Sequence, residues 1–497
     1  MRYLLFLFFC GYTLFAQTPD PLLASNVKDQ IKWVDSTYVS LSLEEKIGQL
    51  FMVMAFSEQG KEHFEKIANN IEEDKIGGVV FSLGGPLGQT NWLNKFQDKA
   101  KTPLLIGMDA EWGVAMRLDS VQAFPWNMTL GAIQENDIIE EIGFRIGEQA
   151  KRLGVHINFA PSVDINTNPS NPIIGNRSFG EDKNNVSEKG IVFIKGMHKA
   201  GVLSSAKHFP GHGDTETDSH LGLPSINFSK KRIHEIELYP FKKIIQEGVS
   251  SVMVAHLDIK AFDPGTPSSL SPKIVKELLL DSLQYKGLVI TDALNMKGAS
   301  DISPKYGIDV AAFLAGNDIL LIPNDVKSAI KEMKRAFNDR VFSKERLAHS
   351  VKKILKAKYF VGLNKSQATS SINLIEDLNS TKDDYLIQKA LESAVTVVQN
   401  KNNILPLDVN TTYGYIKLGD DDGLHFESTL SSKIKLHKVS TSMSINQIIE
   451  ALNPYKSIII SFHRSNQNPW KASSFSKKER RLFAALSKNH KLILDKM

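Results

Sequence analysis

The densest set of reactive side chains in the sequence is KHFPGHGDTETDSHLGLP, residues 207–224, which holds three histidines, three carboxylates, one lysine and three glycines. By ligand type, His208, His212 and His220 with Asp214 or Asp218 match a zinc site. The stretch is a Gly/Pro loop, however, so no helix fixes the His208–His212 spacing, and H-E-x-x-H is absent. No G-x-S-x-G elbow for a serine nucleophile occurs either. The triplet Asp218-Ser219-His220 offers different chemistry. A carboxylate two residues from a histidine accepts the imidazole Nδ1–H, orients the ring and leaves the other nitrogen to exchange protons with a substrate. Alone, the triplet reads equally well as a loop salt bridge. A second carboxylate, Asp292 in GLVITDALNM (287–296), supplies the other half of a pair. One nucleophile and one proton donor are what a retaining glycosidase requires.

These residues need a scaffold that brings them together. Amphipathic stretches ending in glycine, at Gly154, Gly201, Gly248 and Gly316, are each followed at once by a short apolar run. Glycine is favoured just past a helix because it enters the left-handed region without a Cβ clash. Eight apolar runs are candidate strands: 49–55, 77–81, 104–109, 156–164, 202–208, 251–257, 288–292 and 319–322. Helical stretches such as 136–153 and 230–247 separate them. Nearly all-apolar strands alternating with helices predict a parallel sheet covered on both faces, and eight of them predict a TIM-like (β/α)8 barrel. Polar residues then fall at strand ends: Asp109 on the third, Lys207 and His208 on the fifth, His256 on the sixth, Asp292 on the seventh. In such a barrel the C-terminal face carries the site.

Beyond a barrel domain at 17–363, the polar stretch 364–383 reads as a linker. Runs at 394–400, 413–418, 457–462 and 492–494 then read as strands of a partial second α/β sandwich domain at 384–497. Residues 1–16 have the order of a secretory signal peptide: Arg2, an apolar run, then the small Ala16. The only cysteine, Cys10, lies inside it, and the bulky Phe8 and Phe9 before it argue against a lipid anchor. The mature chain is therefore expected to be exported, periplasmic or secreted, without disulfides. A net charge of +5 on 497 residues, with no basic block, points away from nucleic acid. Neither a stable membrane span, a metal nor a cofactor is expected.

The 207–224 stretch resembles, nearly letter for letter, the signature of the β-N-acetylglucosaminidase branch of glycoside hydrolase family 3. FAPSVDINTNPSNPIIGNRSFG (159–180), SLSPKIVKELL (269–279), ITDALNM (290–296) and AGNDILLIP (315–323) match further blocks in the family's order, and the resemblance runs from Ser42 to Leu407. It implies Asp292 as nucleophile and His220, assisted by Asp218, as general acid/base. It further implies that Asp109, Arg117, Arg177, Lys207 and His208 bind the sugar. One departure is Asp109-Ala110-Glu111-Trp112-Gly113, where the family commonly reads D-x-E-G-G. Trp112 reshapes the rim or adds a stacking face for a second sugar. The expected reaction is removal of terminal β-linked GlcNAc with net retention. Muropeptide GlcNAc–MurNAc fragments lead chitin oligosaccharides as the expected substrate. Phosphorolysis in place of hydrolysis, and a truncated non-catalytic sugar-binding fragment, stay open alternatives.

Overall fold

The computed structural model describes residues 18–218, 222–302, 304–365, 368–465, 475–488 and 491–496. The signal-peptide segment 1–16 and His220 lie outside the described residues. The chain divides into two compact units, one ending at Ala394 and one beginning at Val395.

The first unit is the expected barrel. Its strands are β1 (Phe51–Ala55), β2 (Gly78–Phe81), β3 (Leu105–Met108), β4 (Ile157–Asn158), β5 (Leu203–Phe209), β6 (Ser251–Val254), β7 (Leu288–Thr291) and β8 (Leu320–Leu321). Each pairs in parallel with its neighbour, and β8 pairs with β1. A parallel bridge between Ile290 and Ile319 links β7 to β8 and closes the ring. Most strands are buried throughout, which is why they read as continuous apolar runs. The helix Leu43–Gly48 starts with a complete capping box between Ser42 and Glu45. Gly201, φ +82°, ends the helix Lys183–Ala200 and turns the chain into β5.

Three expectations need correcting in detail. The fourth run forms only the two-residue β4, because Pro161 has no N–H to continue the ladder; pairing resumes as a lone bridge, Ser162 to Lys207. The single helix expected at 230–247 is two, Lys230–Glu235 and Tyr239–Gln246, with Pro240 in the first turn of the second. The linker expected at 364–383 is not a linker, and the boundary falls after Ala394 rather than at 383/384. Helices Leu374–Leu378 and Thr381–Ala394 pack on the barrel through Leu374, Leu378, Leu386 and Ala390. Arg145 binds Asp383 at 2.6 Å and Arg152 binds Asp377 at 2.8 Å.

The second unit has a four-stranded parallel sheet, β9 (Thr412–Gly419), β10 (Lys435–Val439), β11 (Ser457–His463) and β12 (Lys491–Lys496), in the order β10-β9-β11-β12. Helices Ile445–Leu452 and Lys477–Leu486 pack on the face carrying Ile416, Leu418 and Ile460. Phe426 and Leu430 of helix Leu424–Ser431 cover the opposite face with Tyr413 and Tyr415. The strand expected at 394–400 does not form: Ala394 ends a helix, residues 395–400 have no regular structure, and Val395, Val397 and Val398 are exposed. Their β-branched composition matches a strand, but among the described residues no strand pairs with them.

Candidate active site

The ends of β3, β5 and β7 and the loop after β4 place the candidate residues. Asp109 and Glu111 follow β3, Asp164 and Arg177 lie after β4, Lys207 and His208 sit near the end of β5, and Asp292 follows β7. Asp292 is fixed by main-chain bonds: its N–H donates to Val254 O at 2.8 Å, and its Oδ1 accepts the Ala293 N–H at 2.8 Å. The loop after β5 is pressed onto the loop after β4. A Cβ on Gly213 would stand 1.9 Å from Ile165 O, so only glycine permits this approach. Asn171 ties the two loops, donating to His212 O at 2.8 Å and Gly213 O at 3.1 Å.

The charged groups form one continuous chain. Arg117 Nη2 donates to Asp109 Oδ2 at 2.9 Å, and Lys207 Nζ bridges Asp109 Oδ1 and Glu111 Oε1, both at 2.8 Å. Arg177 forks Glu111, with Nη2 at 2.7 Å from Oε1 and Nε at 3.0 Å from Oε2. The same Nη2 lies 3.1 Å from His208 Nε2, and His208 Nδ1 lies 2.6 Å from Asp164 Oδ2. Arginine only donates, so His208 Nε2 is the acceptor and Nδ1–H donates to Asp164. Both ring nitrogens are thereby committed, which removes His208 from any metal-ligand set. Asp164 also accepts the Ser162 hydroxyl at 2.9 Å and the His212 N–H at 2.7 Å.

Alternation of sign makes this burial tolerable, since buried charges persist only when paired. Burial pushes the Asp109 carboxyl up, but Lys207, Arg117 and Arg177 hold it well below the usual carboxylate range. Burial opposes ionisation of Glu111 too, yet Arg177 and Lys207 bring it down to about 2. Glu111 therefore has no proton to donate at neutral pH. Asp164 is likewise held low against its burial by the His208 Nδ1–H and the His212 N–H that it accepts. Burial alone raises Asp292, but His256, the Ala293 N–H and Lys207 hold it below its ordinary value. The result is a half-buried carboxylate kept anionic beside a charge-alternating network, which suits a nucleophile.

Six of the sequence candidates, Asp109, Arg117, Arg177, Lys207, His208 and Asp292, thus come together on the strand-end face. Asp218 is half-buried on the loop after β5, where its carbonyl accepts the Gly222 N–H at 3.2 Å; its intended partner His220 lies outside the described residues. Sequence reasoning gave no role to Asp164 and took Glu111 only as a fallback proton donor, whereas both neutralise the cations. It also overlooked the hydrogen bonds of His256, whose Nδ1 is 2.7 Å from Ser269 Oγ and whose Nε2 is 3.0 Å from Ala293 O, beside the nucleophile candidate. The signal for Glu111 was its spacing two residues beyond Asp109, which sends both carboxylates to one face of an extended segment. Asp214 pairs with Arg232 at 3.4 Å.

Known proteins resemble this chain. The glycosyl hydrolase family 3 N terminal domain matches residues 42–357. The chain is 33% identical over 350 residues to Beta-hexosaminidase A of Pseudoalteromonas piscicida, a match covering 65% of this chain and 58% of that protein. It is 28% identical over 390 residues to the Beta-N-acetylglucosaminidase/beta-glucosidase of Cellulomonas fimi, covering 76% of this chain and 68% of that one. The solved family 3 β-N-acetylglucosaminidase of Paenibacillus sp. str. FPU-7 superposes with a TM-score of 0.76 at 28% identity, over 92% of this chain and 90% of that one.

Proposed function

The chain belongs to glycoside hydrolase family 3, and from that premise we propose that it is an exported, retaining β-N-acetylglucosaminidase acting on terminal β-linked GlcNAc of peptidoglycan fragments. One observation carries the reading. An anionic, half-buried Asp292 sits at a strand end beside Lys207 and His208, within a charge-alternating network that can grip hydroxyls. The names of the Pseudoalteromonas, Cellulomonas and Paenibacillus relatives support the acetamido sugar. The signal-like residues 1–16 support export. Among the described residues no helix is long and apolar enough to cross a membrane.

In the proposed reaction, Asp292 attacks the anomeric carbon while His220, oriented by Asp218, protonates the departing oxygen. The C–O bond to the leaving group breaks as the glycosyl–Asp292 ester forms. His220 then takes a proton from water, the water oxygen attacks the same carbon, and the ester bond returns its electrons to Asp292. Asp109, Arg117, Arg177 and Lys207 hold the glycon, and His208, bonded through both ring nitrogens to Arg177 and Asp164, positions Arg177, so that binding energy supports orientation. Aryl β-GlcNAc and aryl β-glucoside, each assayed with and without phosphate, test the proposal. GlcNAc should be strongly preferred, and free GlcNAc should be the product even in phosphate. A preference for glucose overturns the substrate, and a sugar phosphate product replaces hydrolysis with phosphorolysis.

A further inference from the structure

One buried imidazole at the strand-end face has no part in the chemistry above. His256 follows β6 and is fully buried, as are Ser268 and Ser269 of the loop beyond it. A polar ring held in the core must be paired, and both of its nitrogens are. Nε2 lies 3.0 Å from Ala293 O, and Nδ1 lies 2.7 Å from Ser269 Oγ. A carbonyl only accepts, so Nε2–H is the donor to Ala293. The serine end is anchored to the scaffold. Ser269 N–H donates to Ala255 O at 3.1 Å, Ser268 Oγ donates to the same carbonyl at 2.6 Å, and Asn317 Nδ2 donates to Ser269 O at 2.8 Å. The imidazole is thus a buried strut from the end of β6 to the turn after β7.

That turn begins at Asp292. The Ala293 carbonyl accepts twice, from His256 and from the Met296 N–H at 3.0 Å, which closes residues 293–296 into a turn. The N–H of the same Ala293 donates to Asp292 Oδ1 at 2.8 Å. Among the described residues the other oxygen, Oδ2, takes no hydrogen bond. A free carboxylate turns about χ2 across a broad well and presents either oxygen. A bond kept on one oxygen decides which of the two faces a substrate, and a misplacement of about 1 Å in a reacting group costs about 10²-fold.

We propose that His256 is a positioning residue for the nucleophile: by pinning the Ala293 carbonyl it keeps the Ala293 N–H on Asp292 Oδ1 and leaves Oδ2 to form the glycosyl ester. The same N–H stays on Oδ1 while that oxygen is the ester carbonyl, and it meets the returning charge when the ester breaks. The inference rests on the glycosidase reading, and the experiment separates the two. Turnover of aryl β-GlcNAc by the unaltered protein tests that reading alone; the variants test the strut. His256→Phe keeps a ring without a donor and should lower kcat about 10–100-fold, with the inhibition constant of free GlcNAc within about twofold of the unaltered protein's. His256→Gln puts an amide N–H where Nε2–H was and should recover most of that loss. Ser269→Ala removes only the far anchor and should lower kcat about two- to tenfold, again with GlcNAc inhibition unchanged. Crystal structures give a readout without turnover: the Asp292 carboxylate should leave the Ala293 N–H in His256→Phe and keep it in His256→Gln. Should His256→Phe not fold, the contrast between Ser269→Ala and His256→Gln decides. Equal losses in the Phe and Gln variants, full activity in Ser269→Ala, a parallel loss of GlcNAc binding, or Asp292 still bonded to Ala293 in His256→Phe overturns the assignment.

Discussion

Glu111→Gln tests the ion network most directly. Glu111 is fully buried and accepts Arg177 Nη2 at 2.7 Å, Arg177 Nε at 3.0 Å and Lys207 Nζ at 2.8 Å. Glutamine keeps the shape but puts an NH2 where an acceptor oxygen was, donor against donor, and strips two cations of a shared counter-charge. Removing one partner of a buried pair costs about 3–5 kcal/mol. Proton linkage gives an independent figure. Burial works against the charged form, but Arg177 and Lys207 lower Glu111 from 4.5 to about 2, which corresponds to roughly 3 kcal/mol. The folded value lies below the unfolded one, so this stabilisation is complete above about pH 4.5 and is lost as pH falls through about 2. Urea unfolding of both proteins should therefore show a gap of about 3–5 kcal/mol at neutral pH that narrows steadily below about pH 4.5. Losses from Asp109 and Asp164 affect both proteins, so the difference isolates Glu111. A neutral-pH gap under about 1 kcal/mol, or a gap that does not narrow in acid, refutes the reasoning.

Three further outcomes are expected. Asp292→Asn should abolish turnover while sugar binding survives, and a fluorinated GlcNAc inhibitor should label Asp292 in the unaltered protein; mass-spectrometric labelling at Asp109 or Asp214 instead would reject the nucleophile. His220→Ala should slow a GlcNAc disaccharide by about 10²–10⁴-fold and a nitrophenyl glycoside much less, with azide restoring the latter as a β-glycosyl azide; equal losses without azide rescue would remove the acid/base role. Lys358 is buried, with Nζ 2.6 Å from Gln49 Oε1, and burial lowers its ammonium to about 7. For a cation lowered on folding, the unfolded chain binds the extra proton between about 7 and 10.5, so stability rises with pH across that window by up to about 1.4 kcal/mol per pH unit. Lys358→Met should flatten this rise in unfolding curves; the same slope in the variant would refute it.

The barrel was legible because most of its strands are buried and several helix exits use a residue at positive φ, as at Gly201. Asp109, Lys207, His208 and Asp292 were legible because strand ends follow from strand positions. What the sequence hid was partnership. Asp164 ends the run 156–164, yet nothing local shows that it receives His208, forty-four positions later. The stretch after residue 363 misled for a related reason. Its polar composition suggests solvent, yet Asp377 and Asp383 are polar because they meet Arg152 and Arg145. The spacing of Leu374, Leu378, Leu386 and Ala390, all multiples of four, was the overlooked signal of a helical face. At 394–400 the error ran the other way: β-branched residues encourage a strand, but a strand also needs a neighbour.

The contacts that complete the barrel unit join positions far apart in the chain. Gln30 donates to Lys356 O across 326 positions, Asp35 meets Lys352, and Arg145 holds Asp383 across 238. Closing such distant pairs requires loop entropy to be overcome before any contact repays it, which slows folding. During synthesis, helix Val27–Ser40 emerges long before helix Lys344–Phe360, which covers it. Its apolar side stays uncovered until that later helix has been made, a stage at which exposed apolar surface invites chaperone holding or late collapse.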